Sequence, residues 1–389
     1  MKLAFVVTEA GCLDPTTGAS QHIAMGMREL GKRTQLVSFL APVLKTAAPR
    51  SRAAGGKPGW RRHLQATGAW GTLRDLRDLR DFTYRARQGW RIAKAVEAAG
   101  CEVAYVRAQC LQPISLFLRL RKIKVVLEAN GLQYVSRKAQ FRSWLSGLYR
   151  PFERCVYRTA DHVFFVGSYG QYWRLASNNW TEVENGVEPE LINRRHKKIG
   201  GRHRRLRLVV LSRLVAHHKG HLLPAAINRL EPSVRSRIEL HLIGTGFDEI
   251  KHELELICRV KDHGFVSRDA IGNLLRRMDC GIIPDCPPYG SQMKLLDYAA
   301  NGCLVLGPDV FHLKNFFSDK GMVFFTQNNI ASLAERISAL VSGDLPADEL
   351  ARALQDHVSQ TYTWDVIFDR KWQIIREIVE PHSSAQTEA

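Results

Sequence analysis

No apolar run in the chain approaches the roughly 18 to 20 residues that a membrane helix requires. Its start, MKLAFVVTEAG, also lacks the long hydrophobic core of a secretory signal. A spanning or exported chain is therefore not expected, and the expected location is the cytoplasm. The 8 cysteines, at positions 12, 101, 110, 155, 258, 280, 286 and 303, contain no Cys-x-x-Cys pair. Several sit in apolar strands, which points to reduced core thiols rather than a zinc or redox centre. No Gly-x-Gly-x-x-Gly follows the first strand, which argues against a nicotinamide-dependent dehydrogenase. The basic segments show no helix-turn-helix, zinc or RNP pattern, so nucleic acid is not an expected partner.

Acidic residues are scarce in one half only. Residues 1–200 hold 33 Lys and Arg against 15 Asp and Glu, whereas residues 201–389 hold 23 of each. The whole excess of +18 therefore falls on the N-terminal half, which is charged to sit near something anionic, a phospholipid surface or a lipid diphosphate among the candidates.

At 389 residues the chain exceeds one typical core, and two domains are expected. Short apolar runs alternate with helical patterns in both halves: KLAFVVT, TQLVSF, EVAYVR, KVVLEA and HVFFVG, then RLVVLS, IELHLIG, KDHGFV, CGIIPD, CLVLG and MVFF. Such alternation predicts parallel sheets covered on both faces, an α/β class with two doubly wound Rossmann-like domains. The polar, glycine-broken run from about Val187 to Arg207 reads as a linker, giving domains over 1–190 and 205–363. An amphipathic helix over 364–380 closes the chain. The stretch from Ala41 to Gly71 has no strand pattern. After it, TLRDLRDLRDF spaces Leu73, Leu76, Leu79 and Phe82 by three among Arg and Asp. That narrow stripe suits either packing on a domain or lying on a membrane.

The richest segment is YGSQMKLLDYAANGCLVLGP, Tyr289 to Pro308. Ser291 is placed to cap a helix whose free N–H groups favour an anion such as phosphate. Lys294 and Asp297 fall on neighbouring positions of that helix, and Asn301-Gly302 ends it.

This segment, together with LVVLSRLVAHHKG (208–220), LHLIGTG (240–246), KDHGFVSRDAIGNLLRRMDCGIIPD (261–285) and VENGV (183–187), resembles the retaining glycosyltransferases of the family 4 type, which have the GT-B fold. The five elements stand in the family's order over about half of the chain.

The resemblance implies two sheets facing across a cleft, with the last helix crossing back onto the N-terminal domain. Arg213 and Lys219 would grip the diphosphate of a nucleotide-sugar donor, a UDP- or GDP-sugar used as co-substrate with no further cofactor. Gly244, Gly246 and Val266 would border the donor phosphates and base. Ser291, Gln292, Met293 and Lys294 would form the phosphate helix, and Asp297 would hold the ribose hydroxyls. On the N-terminal side Gly18 matches the family's glycine loop, with Thr17 where a glycine often precedes it. Asn130 stands where a histidine is often found, and Glu128 is the fallback proton acceptor.

The chain departs from the family at Tyr289, where a first glutamate is expected. Either Ser291 and the backbone of Gln292 and Met293 serve in its place, or the chain is an inactive partner subunit. No Asp-x-Asp occurs and His217-His218 has no acidic or Cys ligand near it in sequence, so metal-independent chemistry is expected. The acceptor implied is a glycan or lipid-linked glycan in cell-surface polysaccharide synthesis, met at the cytoplasmic face of an anionic membrane by the basic half.

Overall fold

The computed structural model describes residues 1–8, 18–40, 69–108, 111–135, 146–175, 179–193, 198–200, 204–214 and 219–380. The chain divides into two compact units, Met1–Val183 with Phe368–Ala389, and Glu184–Ile367.

The first unit is built from β1 (Lys2–Val7), α1 (Gly18–Gly31), β2 (Gln35–Leu40), α2 (Ala69–Ala98), β3 (Val103–Arg107), α3 (Ile114–Arg119), β4 (Lys124–Ala129), α4 (Ser146–Arg158), β5 (His162–Val166), α5 (Tyr169–Trp173) and β6 (Trp180–Val183). Its six strands pair in parallel in the order β2-β1-β3-β4-β5-β6. Strands β1, β3, β4 and β5 are apolar and buried almost throughout, because helices cover both faces of a parallel sheet.

The second unit repeats the plan with β7 (Leu206–Arg213), α6 (Leu222–Asn228), α7 (Pro232–Arg235), β8 (Ile238–Thr245), α8 (Asp248–Ile257), β9 (Arg259–Asp262), α9 (Arg268–Leu275), β10 (Cys280–Ile282), α10 (Met293–Ala300), β11 (Leu304–Pro308), α11 (Phe311–Phe317), β12 (Val323–Phe325), α12 (Ile330–Ser342) and α13 (Ala347–Thr361). Its sheet is again six-stranded and parallel, ordered β12-β11-β10-β7-β8-β9. The last helix, α14 (Trp364–Val379), begins in the second unit and continues in the first.

Two expectations shift. The expected linker is in part a packed segment of the second unit: Val187 is fully buried and bridges to Thr363, and the Asn193 N–H donates to the Ala300 carbonyl, 2.8 Å. The unit break accordingly falls at Val183–Glu184. The strand expected over KDHGFV is drawn back to Arg259–Asp262, since Gly264 takes a positive φ of 61° that turns the chain out of the sheet. Strand β6, WTEV, is half polar and was not foreseen. Among the described residues no helix is long and apolar enough to cross a membrane. Most of the Ala41–Gly71 stretch lies outside the described residues, and the chain is helical again from Ala69.

Candidate active site

Parallel sheets take ligands beyond the carboxyl ends of their strands, and in the second unit those ends carry most of the residues singled out by sequence. β7 ends in Ser212 and Arg213, paired with Gly244 and Thr245 of β8. Gly244, at φ 120°, leaves no room for a Cβ, which would collide with the Ser212 carbonyl. Gly246, at φ 83°, is barred in the same way by the Leu214 carbonyl. The two glycines thus serve close approach of β8 to β7. Arg213 is exposed at the strand tip, and Lys219 follows with a left-handed φ of 45°. Residues 215–218 between them, with the His217-His218 pair, lie outside the described residues, as does the loop before Gly18.

The Lys219 ammonium reaches the Asp285 carboxylate at 3.0 Å and also donates to Asn328. Asp285 is buried just past β10, and its other oxygen accepts from Gln327 Nε2 at 2.8 Å. Its neighbour Cys286 borders Lys294, whose Nζ donates to Ser212 Oγ at 3.4 Å. Lys219 and Lys294 thus border the adjacent residues Asp285 and Cys286, whereas Arg213, next to Ser212 in the strand, points to the other face of the sheet. Burial pushes the Lys294 amine down to about 8, and among the described residues no carboxylate pairs with it to offset the loss of water.

The helix bearing Lys294, α10, is pinned by its own aromatic. Tyr298 is fully buried, its OH accepts from the Leu211 N–H at 2.6 Å, and its ring lies so close over Gly281 that a Cβ there would collide with it. Asn301 and Gly302, at φ 67°, end the helix as expected.

Ser291 is not the cap. Gln292 occupies that position and no side chain caps the helix; the Leu295 N–H turns back onto the Gln292 carbonyl at 2.9 Å, which leaves those of Met293 and Lys294 for a ligand. The Ser291 hydroxyl is taken elsewhere: it donates to Glu184 Oε1 and accepts from Asn185 Nδ2 at 2.5 Å. Glu184, 1 % exposed, also accepts the Asn185 N–H at 2.7 Å and meets His312 Nε2 at 2.6 Å. His312 in turn donates its own N–H to the Pro288 carbonyl at 2.8 Å. The 287–292 loop is thereby fastened at both ends. Gln292 Nε2 donates to the Gly290 carbonyl at 3.3 Å, and Met293 opens the helix. Tyr289, in the place of the family's first glutamate, packs its ring 5.7 Å from Phe311.

Asp297 does not pair with Lys294. It is buried and both its oxygens meet the Arg268 guanidinium at 2.7 Å, while Arg268 also donates to Glu188 Oε2 at 2.6 Å and Oε1 at 3.2 Å. Burial raises the Asp297 carboxyl above its usual range even against the pull of Arg268. Val266 is half-buried on the apolar layer, after an exposed Phe265. A hollow of about 460 Å³ lined by Leu206, Arg237 and Pro346 lies at the opposite, amino-terminal end of this sheet and holds none of these residues.

Gly18 and Asn130 belong to the first unit. Gly18 opens α1, and Asn130 Nδ2 donates to Glu128 Oε1 at 2.9 Å. Glu128, the fallback proton acceptor, is 2 % exposed and fully engaged: it meets Lys371 Nζ at 2.8 Å, His22 Nε2 at 3.0 Å, Arg107 at 3.3 Å and the Tyr105 hydroxyl. Burial alone would raise its pKa, but these cations hold it well below the carboxylate range. Because burial pushes His22 toward neutrality, Lys371 and Arg107 are its lasting positive partners. So placed, Glu128 anchors α14 rather than accepting a substrate proton.

Sequence reasoning missed Arg268, Glu188, Glu184 and His312. Glu184 directly precedes the Asn-Gly pair already singled out, and Arg268 follows the Gly-Phe-Val run. His312 and Lys371 gave no local signal.

Residues 221–370 match a family described as glycosyl transferase-like. Similar solved structures include HepE (Alr3699) of Anabaena, determined with UDP and glucose, at 13% identity over 97% of this chain and 100% of that one, TM-score 0.68. Sucrose-phosphate synthase of Thermosynechococcus elongatus matches at 13% identity over 98% and 100%, TM-score 0.69. The lipopolysaccharide outer core galactosyltransferase WaaB matches at 14% over 96% and 99%, TM-score 0.65. No curated protein matches the sequence. The α/β architecture of two six-stranded parallel sheets is that of the GT-B glycosyltransferases.

Proposed function

We propose that this chain, a glycosyltransferase of the GT-B type by its fold and its glycosyl transferase-like second unit, moves a sugar from a UDP- or GDP-sugar to a glycan or lipid-linked glycan, with retention of anomeric configuration and without a metal ion. The observation that carries this is the set of cations at the strand ends of the second unit. Lys294 is held beside Ser212 with no carboxylate paired to it among the described residues, Lys219 pairs with Asp285 next to the Cys286 that borders Lys294, and Arg213 is exposed at the same strand end. Such groups stabilise the charge that builds on a departing diphosphate, and the uncapped start of α10 adds the N–H groups of Met293 and Lys294 to the same anion. UDP and glucose in the HepE structure support the UDP alternative. With Glu128 enclosed and Asn130 unable to accept a proton by its amide nitrogen, the leaving phosphate is the group left to take the acceptor's proton, which suits retention. The reaction belongs, on this reading, to cell-surface polysaccharide synthesis in the cytoplasm.

A panel of nucleotide sugars screened for thermal stabilisation identifies the donor, since a ligand raises apparent stability by mass action. Transfer by Lys219→Ala then tests the site: a loss of about a hundred- to a thousandfold is expected, and full activity with intact folding refutes it. Transfer should persist in excess chelator. A second reading, an inactive partner subunit, is favoured by Tyr289 in place of a carboxylate and by Arg268 occupying Asp297. Donor hydrolysis by the purified chain excludes it.

A further inference from the structure

The outward face of α2 carries a pattern that the glycosyl-transfer chemistry does not use. Among its described side chains from residue 76 to 94, the exposed ones are Leu76, Leu79, Arg80, Thr83, Tyr84, Arg87, Trp90, Arg91 and Lys94. They recur at intervals of three and four, so they form a single stripe of roughly 27 Å along the helix. Leu76 is 60% exposed, Leu79 55%, Tyr84 55% and Trp90 45%. No acidic side chain is among them: Asp81 lies off the stripe, and exposed Glu97, one turn past its end, is taken up by Arg121 at 3.1 Å. The neighbouring helix end extends the pattern. Arg121 lies over the Trp90 ring at 4.0 Å and Phe117 meets that ring edge-on, while Leu120 beside them is 74% exposed and flanked by exposed Arg119 and Lys122.

Buried apolar residues would be the ordinary choice where a helix packs on its own domain. Here the inner face already does that, with Gly89, Ala93 and Val96 buried against the unit. The outer face combines large apolar groups with cations that meet no carboxylate among the described residues, the composition of a helix that lies in a lipid interface. We infer that the stripe Leu76–Lys94 of α2 docks on an anionic lipid bilayer, the apolar groups entering the boundary between headgroups and acyl chains and Arg80, Arg87, Arg91 and Lys94 meeting lipid phosphates. This narrows the basic half's expected partner to one surface. It rests on the proposed function only in that a lipid-linked acceptor would be met there.

The test is co-flotation of the full chain with phosphatidylcholine vesicles, with and without phosphatidylglycerol. Binding is expected only to the anionic vesicles and should weaken as salt rises. Neutralising two cations in Arg87→Gln/Arg91→Gln should lower the partition coefficient roughly thirtyfold, at about one kcal/mol per cation near the surface. Leu76→Ser/Leu79→Ser should weaken binding while leaving its salt dependence in place. In both variants thermal stabilisation by the donor should be unchanged, so loss of vesicle binding and loss of donor binding read out separately. Unaltered flotation of both variants overturns the inference. So does binding to neutral vesicles alone, salt-sensitive capture of RNA in place of vesicles, or a dimer that the Leu variants dissolve.

Discussion

Lys294→Met separates the two demands placed on that side chain. In the folded protein the amine drops from its ordinary 10.5 to about 8 with burial as the leading cause. The drop corresponds to roughly 3 kcal/mol of cost in keeping the charge near neutral pH. Since the side chain is only half-buried and water reaches part of it, about 2 kcal/mol is the working figure. Methionine keeps the length of the stem, forfeits only a 3.4 Å contact to Ser212, and removes the stranded charge. The variant should therefore be more stable at pH 7, melting roughly 4 to 8 °C higher for a unit of this size. On the proposed function, transfer should fall about a hundred- to a thousandfold, the loss typical of one group that stabilises a leaving diphosphate. The pH dependence follows the same logic. The folded pKa lies below the unfolded one, so between about 8 and 10.5 the unfolded chain holds the extra proton and stability rises with pH. The Met variant should lack that rise. Thermal melts from pH 7 to 10.5 alongside a transfer assay decide the matter. A Met variant that is less stable than the parent, or that transfers sugar at the parent's rate, refutes the view of Lys294 as a stability cost held for donor binding.

Lys371→Ala should destabilise the protein by about 3 to 5 kcal/mol in denaturant titrations, because it strips a buried carboxylate of its nearest cation. Combining it with Glu128→Gln should cost less than the sum of the two, since the changes act on one pair. Arg268→Gln leaves Asp297 and Glu188 facing each other without their shared cation, and should lower stability by about 3 kcal/mol by the same measurement. Glu153, buried beneath the Gln133 and Tyr134 N–H groups, has its pKa raised to about 7 by burial against three hydrogen bonds. The folded state therefore holds the extra proton between about 4.5 and 7, and stability should fall as pH climbs through that window. Melts from pH 5 to 8 should show this fall, and Glu153→Gln should flatten it.

The sheets were legible because their central strands are buried on both faces and read as unbroken apolar runs. The edges were not. WTEV in β6 and RVKD in β9 have one side to solvent, so polar residues interrupt the pattern, and both were missed or misplaced. In the candidate site, Arg213, Lys219 and Lys294 could be named from motif order, and all three stand at the carboxyl ends of the second unit's strands or just beyond them. The reading of Ser291 as a cap failed because position before a helix says nothing of a competing acceptor, here Glu184 more than a hundred residues away in sequence. Likewise Asp297 was read as free to bind ribose, while Arg268 lies 29 residues upstream in sequence and takes both of its oxygens. Lys371 looked like one polar residue on an amphipathic helix. Only the tertiary fold brings it to Glu128, 243 positions earlier.

The helix that begins in one unit and finishes in the other sets an order of events during synthesis. The second unit is a continuous stretch and has its own two apolar layers, so it can close as soon as it leaves the ribosome. The first unit emerges earlier yet waits longer. Until Phe368 and Lys371 are translated, Gly26 lacks one of the two rings that close over it and Glu128 lacks its ammonium. A nascent chain interrupted just before that point would carry a finished second unit joined to an open basic first one, a form that quality-control proteases are well suited to find.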